Sequence, residues 1–81
     1  MVKVGIWGSL KTHTGGLDFI DVEAVDLRSL LSAVGEKYPG LKPVLDRGAS
    51  VSIDGRIYTE HWFEPIRPES EVYLLPRIVG G

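Results

Sequence analysis

Residues 26–40, DLRSLLSAVGEKYPG, decide the fold. Asp26 suits an N-cap, because its short carboxylate accepts from the free N–H groups of a first helical turn. Leu27, Leu30, Leu31, Val34 and Tyr38 follow at i, i+3, i+4, i+7 and i+11, one apolar stripe at helical period. Pro39 stops the helix, since a proline disfavours helical geometry in the residue before it. A lone helix with one apolar stripe needs a surface to cover, and the flanking sequence supplies strands on both sides.

Upstream, residues 1–10 read as a strand in which Val2, Val4 and Ile6 alternate with Lys3, Gly5 and Trp7. KTHTGG at 11–16 marks a turn, and residues 17–24 return as a second strand. Its register stays open, because Phe19 and Ile20 point to opposite faces. Downstream, residues 41–48 read as a connection with a short turn near Val44 and Leu45. Residues 49–53 alternate again, Asp54-Gly55 forms a tight turn, and Arg56-Ile57-Tyr58 returns. Residues 59–70 hold Pro65 and Pro68 and read as a loop anchored by Trp62 and Phe63. A last strand spans 71–75, Pro76 ends its pairing, and residues 77–81 remain as a flexible tail.

The order is strand, strand, helix, strand, short strand, strand. It predicts an α+β fold: a mixed four- to five-stranded sheet packed on one helix, the last strand parallel beside the first in the centre. That is the β-grasp, or ubiquitin-like, arrangement, with residues 1–76 as the domain and 77–81 as its tail.

Composition narrows the function classes. A chain of 81 residues has room for one core. A net charge of −2, without a dense Lys/Arg cluster, argues against nucleic acid. No apolar run nears the ~20 residues of a membrane span, and no signal peptide is expected. The absence of cysteine excludes disulfides, zinc–thiolate sites and a cysteine nucleophile, and it fits a cytoplasmic location. GSLKTHTGG at 8–16 lacks the Lys-Ser/Thr pair a phosphate loop needs after its second glycine. His13 and His61 stand alone, without metal-ligand spacing. The acidic run Asp18, Asp21 and Glu23 reads as the exposed face of an edge strand.

Alternation also places a contact surface. If Val2, Val4, Ile6, Val72 and Leu74 face the helix, then Trp7, Tyr73 and Leu75 face out on neighbouring strands. They would form an exposed apolar patch beside the tail, of the kind that marks a contact site. The competing expectation is that the 59–70 loop folds over this face and buries it.

The ending EVYLLPRIVGG at 71–81 resembles the final strand and tail of the MoaD/ThiS sulfur carriers. The opening Val-Lys-Val, the capped helix with paired leucines, and Lys37-Tyr38-Pro39-Gly40-Leu41 resemble them too, so the likeness covers the whole chain. Its most specific element is the Gly80-Gly81 pair following a Leu-Pro strand end. The turn Pro68-Glu69-Ser70-Glu71 differs from the Asp-Gly-Asp-Glu common there, and Arg77 stands where molybdopterin-type carriers often have proline.

The resemblance implies a function. Gly81 would be adenylated by a ubiquitin-activating-like adenylyltransferase and converted to a thiocarboxylate. The sulfur would pass to an acceptor such as a molybdopterin synthase large subunit or a thiazole synthase. The chain would be a carrier substrate, not an enzyme, and would bind no cofactor itself; ATP and Mg belong to the partner. Trp7, Tyr73, Leu75 and Pro76 would dock the partners, and Arg77, Ile78 and Val79 would line the partner's channel. Gly80 and Gly81 suit a narrow channel, because without a Cβ the backbone is unhindered. The length is nearer that of the molybdopterin-synthase small subunit than that of the shorter thiazole-pathway carriers. The alternatives are a carrier for thiazole or tRNA thiolation, or a ubiquitin-like modifier conjugated through Gly81.

Overall fold

The computed structural model describes residues 1–59 and 63–76. Among them, five strands form one mixed sheet: β1 (Val2–Ile6), β2 (Phe19–Val22), β3 (Ala49–Ile53), β4 (Arg56–Tyr58) and β5 (Val72–Pro76). Their order is β2-β1-β5-β3-β4. β1 lies parallel to the central β5, and every other pairing is antiparallel. Helix α1 (Leu27–Lys37) covers one face, as the β-grasp expectation required. Val2, Val4, Ile20, Val51, Val72 and Leu74 meet Leu27, Leu30 and Val34 in one core. Each such side chain contributes roughly 1.5–3 kcal/mol by leaving water.

The helix starts where its sequence predicts. Asp26 Oδ1 accepts from Ser29 N at 2.8 Å, and Ser29 Oγ accepts in return from Asp26 N at 3.1 Å. Ser29 thus takes the role a Glu or Gln usually plays in a capping box. Its hydrogen bonds hold the Asp26 carboxyl below the usual carboxylate range. At the other end Lys37 Nζ donates to Asp21 O at 2.8 Å, tying the helix to β2.

The β1–β2 register resolves the choice left open at Phe19. Val4 opposes Ile20 and Val2 opposes Val22, so Ile20 and Val22 face the core while Phe19 and Asp21 face out. The Asp54-Gly55 turn forms as expected, with φ of 50° and 86° at its two residues, the geometry that favours this dipeptide. Asp54 Oδ1 also accepts from Glu71 N at 2.9 Å, binding the turn to the start of β5.

Several expectations are corrected. The first strand ends at Ile6, not near residue 10, because a 3₁₀ helix (Gly8–Thr14) begins with Gly8 at a φ of 58°. Leu10 on this coil is buried in the core. The second strand is likewise shorter, four residues long. The 41–48 connection contains a second helix, α2 (Lys42–Arg47), after a 3₁₀ turn at Pro39–Leu41. Pro43 is tolerated there because the first helical N–H groups have no partner to lose. Leu41 is fully buried, and Val44 and Leu45 pack against the core.

The loop after β4 is anchored differently from expectation. Phe63 is exposed, while Ile66 enters the core; Trp62 lies outside the described residues. Leu27 N donates to Glu64 O at 3.0 Å and Ile66 N to Val25 O at 2.9 Å. This antiparallel clasp around Asp26 and Pro65 holds residues 64–66 at the N-terminal end of α1.

Candidate functional site

The sheet face opposite α1 carries the candidate site. Pairing registers align one row across all five strands: Phe19, Gly5, Tyr73, Ser52 and Ile57. Trp7 follows β1, its backbone N–H donating to Leu74 O at 3.1 Å, so it stands beside Leu75. Trp7 is 57% exposed, Ile57 54% and Phe19 46%, large values for side chains of this size. Contiguous apolar groups left open on one face are a common feature of contact sites.

A shallow groove of about 440 Å³ lies in this face. Trp7, Tyr73, Leu75 and Pro76 form one side with Ser52 and Ile57 on the other. Its walls are apolar and it ends at Pro76, the last residue of β5 described. Leu75 corrects the expectation of an exposed side chain. It faces outward, yet it is only 8% exposed and lies among the groove-lining residues. A side chain in a central strand is walled by neighbours on both sides, so facing out is not the same as being exposed. The 59–70 loop does not close this face in its described part, since Glu64 and Ile66 bond to the start of α1.

Charged groups rim the patch. Lys3 Nζ sits 4.6 Å from the Phe19 ring centroid, a cation–π contact at the outer edge. Lys11 pairs with Asp18 at 2.8 Å in the open, where such pairs stabilise little. Asp18, Asp21 and Glu23 are exposed on or beside the edge strand β2. His13 is exposed on the 3₁₀ helix, and among the described residues no group of three His, Cys, Asp or Glu could hold a metal. The GSLKTHTGG segment closes on itself through Thr14 Oγ1, which hydrogen-bonds Lys11 O and Leu17 O at 3.1 and 3.2 Å.

Trp7, Tyr73 and Leu75 are thus brought together as alternation suggested, and Pro76 adjoins them. Arg77, Ile78, Val79, Gly80 and Gly81 lie outside the described residues. Phe19 and Ile57 were missed from the patch. Their signal was present: Phe19 alternates with Ile20 and Val22, and Ile57 alternates with Tyr58 just after the Asp-Gly turn.

No family model matches the sequence, and no curated protein matches it. Solved structures do match it in shape. A chain of the Amycolatopsis orientalis BexX/CysO complex superposes with a TM-score of 0.78 at 21% identity, with both chains fully covered. The small archaeal modifier protein 1 from Methanosarcina acetivorans gives 0.80 at 21% identity, covering 99% of this chain and 95% of that one. A chain of the complex of subunits 1 and 2 of the molybdopterin-converting factor from Helicobacter pylori gives 0.68 at 24% identity, covering 99% and 97%. The chain shares the ubiquitin-like fold of these proteins along its whole length.

Proposed function

We propose that the chain is a sulfur carrier of the MoaD/ThiS type, acted on by other enzymes rather than an enzyme itself. The exit of β5 supports this most. Pro76 ends the central strand at the rim of the apolar groove, and the sequence continues from there to Gly80-Gly81. The shared fold with CysO, an archaeal modifier and a molybdopterin-converting-factor subunit supports it independently.

A free carboxylate is a poor acyl donor, because oxide leaves badly. In the proposed cycle an adenylating enzyme docks on the open face. Using ATP and Mg, it transfers AMP to the Gly81 carboxylate and releases pyrophosphate. A sulfide equivalent then attacks the acyl carbon and expels AMP, leaving a thiocarboxylate. In the acceptor enzyme the thiocarboxylate sulfur attacks an electrophilic carbon of the substrate and displaces its leaving group. Water then cleaves the acyl–sulfur bond, restoring the Gly81 carboxylate and leaving the sulfur on the substrate. Trp7, Tyr73, Leu75 and Pro76 hold the partner, while Arg77, Ile78 and Val79 lead the two glycines into its channel. The chain supplies no thiol that would compete for the activated glycine.

The acceptor proposed first is a molybdopterin-synthase large subunit, on the chain length and the molybdopterin-converting-factor neighbour. Thiazole formation and tRNA thiolation are the alternative destinations. A second reading, a protein modifier joined through Gly81 to lysine, draws on the likeness to the archaeal modifier. Intact mass separates them. With its adenylating enzyme, ATP and sulfide, the chain should gain the sulfur-for-oxygen mass increment, and a variant lacking Gly81 should not. Carboxylate alone under those conditions would sink the carrier, and lysine-branched peptides after trypsin would favour the modifier.

A further inference from the structure

We propose that Gly5 is a positioning residue, whose missing Cβ parks the Tyr73 ring over β1 and keeps the apolar groove over Ser52 open. The role rests on the docking function assigned above to the open face.

Glycine in the middle of a strand weakens it and needs a reason. Gly5 occupies the fourth of β1's five positions and pairs with Phe19 on one side and Tyr73 on the other. Its φ is not positive, so the backbone conformation does not require glycine. Close approach does. A Cβ built on Gly5 would lie 2.3 Å from Tyr73 Cδ1 and 2.6 Å from Cε1, inside any real contact, with Phe19 Cε1 at 3.3 Å.

The two rings lean inward over this gap. Phe19 and Tyr73 stand two strands apart, roughly 9.5 Å at ordinary strand spacing. Their ring centroids are only 6.4 Å apart, tilted at 56°. Strand side chains ordinarily stand about perpendicular to the sheet, so the shortening measures a tilt toward Gly5. The other neighbour of Tyr73 is Ser52 on β3, a small side chain that lines the groove. Tyr73 therefore has two sides to lean to. Over Gly5 it becomes a wall of the groove; over Ser52 it would fill it. Gly5 makes the first available, and a methyl group there would push the ring toward the second.

The first test uses the unaltered protein. The Gly5 Hα resonances should be shifted upfield by the Tyr73 ring and show cross-relaxation to its Hδ and Hε protons. Unshifted Gly5 protons that do not respond to Tyr73→Ala would overturn the proposal, whether or not any Gly5 variant folds. The second test measures the KM for this chain in ATP–pyrophosphate exchange by its adenylating enzyme. Gly5→Ala should raise KM about tenfold, equivalent to 1.4 kcal/mol, at unchanged kcat. In a Tyr73→Ala background the same change should move KM less than twofold. An equal rise in both backgrounds, or no rise in either, overturns the role. Ser52→Val narrows the groove from β3 and leaves Gly5 untouched. If it raises KM while Gly5→Ala does not, the groove docks a partner without Gly5 positioning it; if neither moves KM, the docking function falls as well.

Discussion

The two faces of the sheet are built by the same five strands from different side chains. Toward α1 the strands present Val2, Val4, Ile6, Ile20, Val22, Val51, Ile53, Val72 and Leu74, none more than 5% exposed. Away from it they present Phe19, Tyr73 and Ile57 with glycine and serines between, and Trp7 at the end of β1. Branched aliphatic chains have few rotamers and interdigitate into a core that never opens. Aromatic rings carry much apolar area on two torsions, so a surface covered and uncovered in turn loses little entropy at each event. The difference teaches that alternation along these strands separates a closed aliphatic face from an open aromatic one.

That contrast can be broken on either side. The largest effect is expected on the closed face. Leu74→Ala, at a fully buried position in the central strand, should cost about 2–5 kcal/mol in urea unfolding. Affinity per folded molecule for the adenylating enzyme should stay unchanged. A comparable loss of affinity would mean the two faces are not independent.

Trp7→Glu should do the reverse. Binding to the adenylating enzyme should weaken by about 2 kcal/mol or more in titration calorimetry, as at an aromatic anchor. Unfolding free energy should move by no more than about 0.5 kcal/mol, since the side chain is over half exposed. Unchanged affinity would remove Trp7 from the docking surface.

The smallest effect sharpens the closed face alone. The Asp26 carboxyl titrates lower in the folded chain than in the unfolded one. Its contribution is therefore complete above the unfolded value and lost as pH falls through the folded value. Asp26→Asn keeps a capping oxygen but no charge, so its melting temperature should fall less steeply than the parent's on acidification below the ordinary aspartate range. Parallel curves would assign the acid sensitivity elsewhere.

Local pattern made much of the fold legible. The α1 cap and stripe, the Asp54-Gly55 hairpin and the two phases of β1 and β5 each depend on neighbours within a few residues. The 3₁₀ coil Gly8–Thr14 was not legible, because Leu10 keeps the phase of Val2, Val4 and Ile6, so the strand pattern runs on past the turn. α2 was missed because six residues, with proline near the start, are too few to show a helical repeat. Phe63 and Ile66 were exchanged as anchors, since a loop has no period and only the backbone clasp at Val25 and Leu27 decides which side chain turns inward. At the site, Trp7 and Tyr73 were readable from alternation, whereas the burial of Leu75 was not.

Sequence alone determined which side chains of β1 and β5 belong to which face, where the helix begins and ends, and that a glycine pair follows the last strand. Those properties are set by periodicity, capping chemistry and residue type along the chain. Tertiary structure decided what the outward face became. The pairs Gly5–Phe19 and Ser52–Ile57 are joined into one row through Tyr73 only because β5 inserts between β1 and β3. The lean of two rings over one glycine, and the groove it leaves beside Pro76, depend on distances across strands that no local pattern contains.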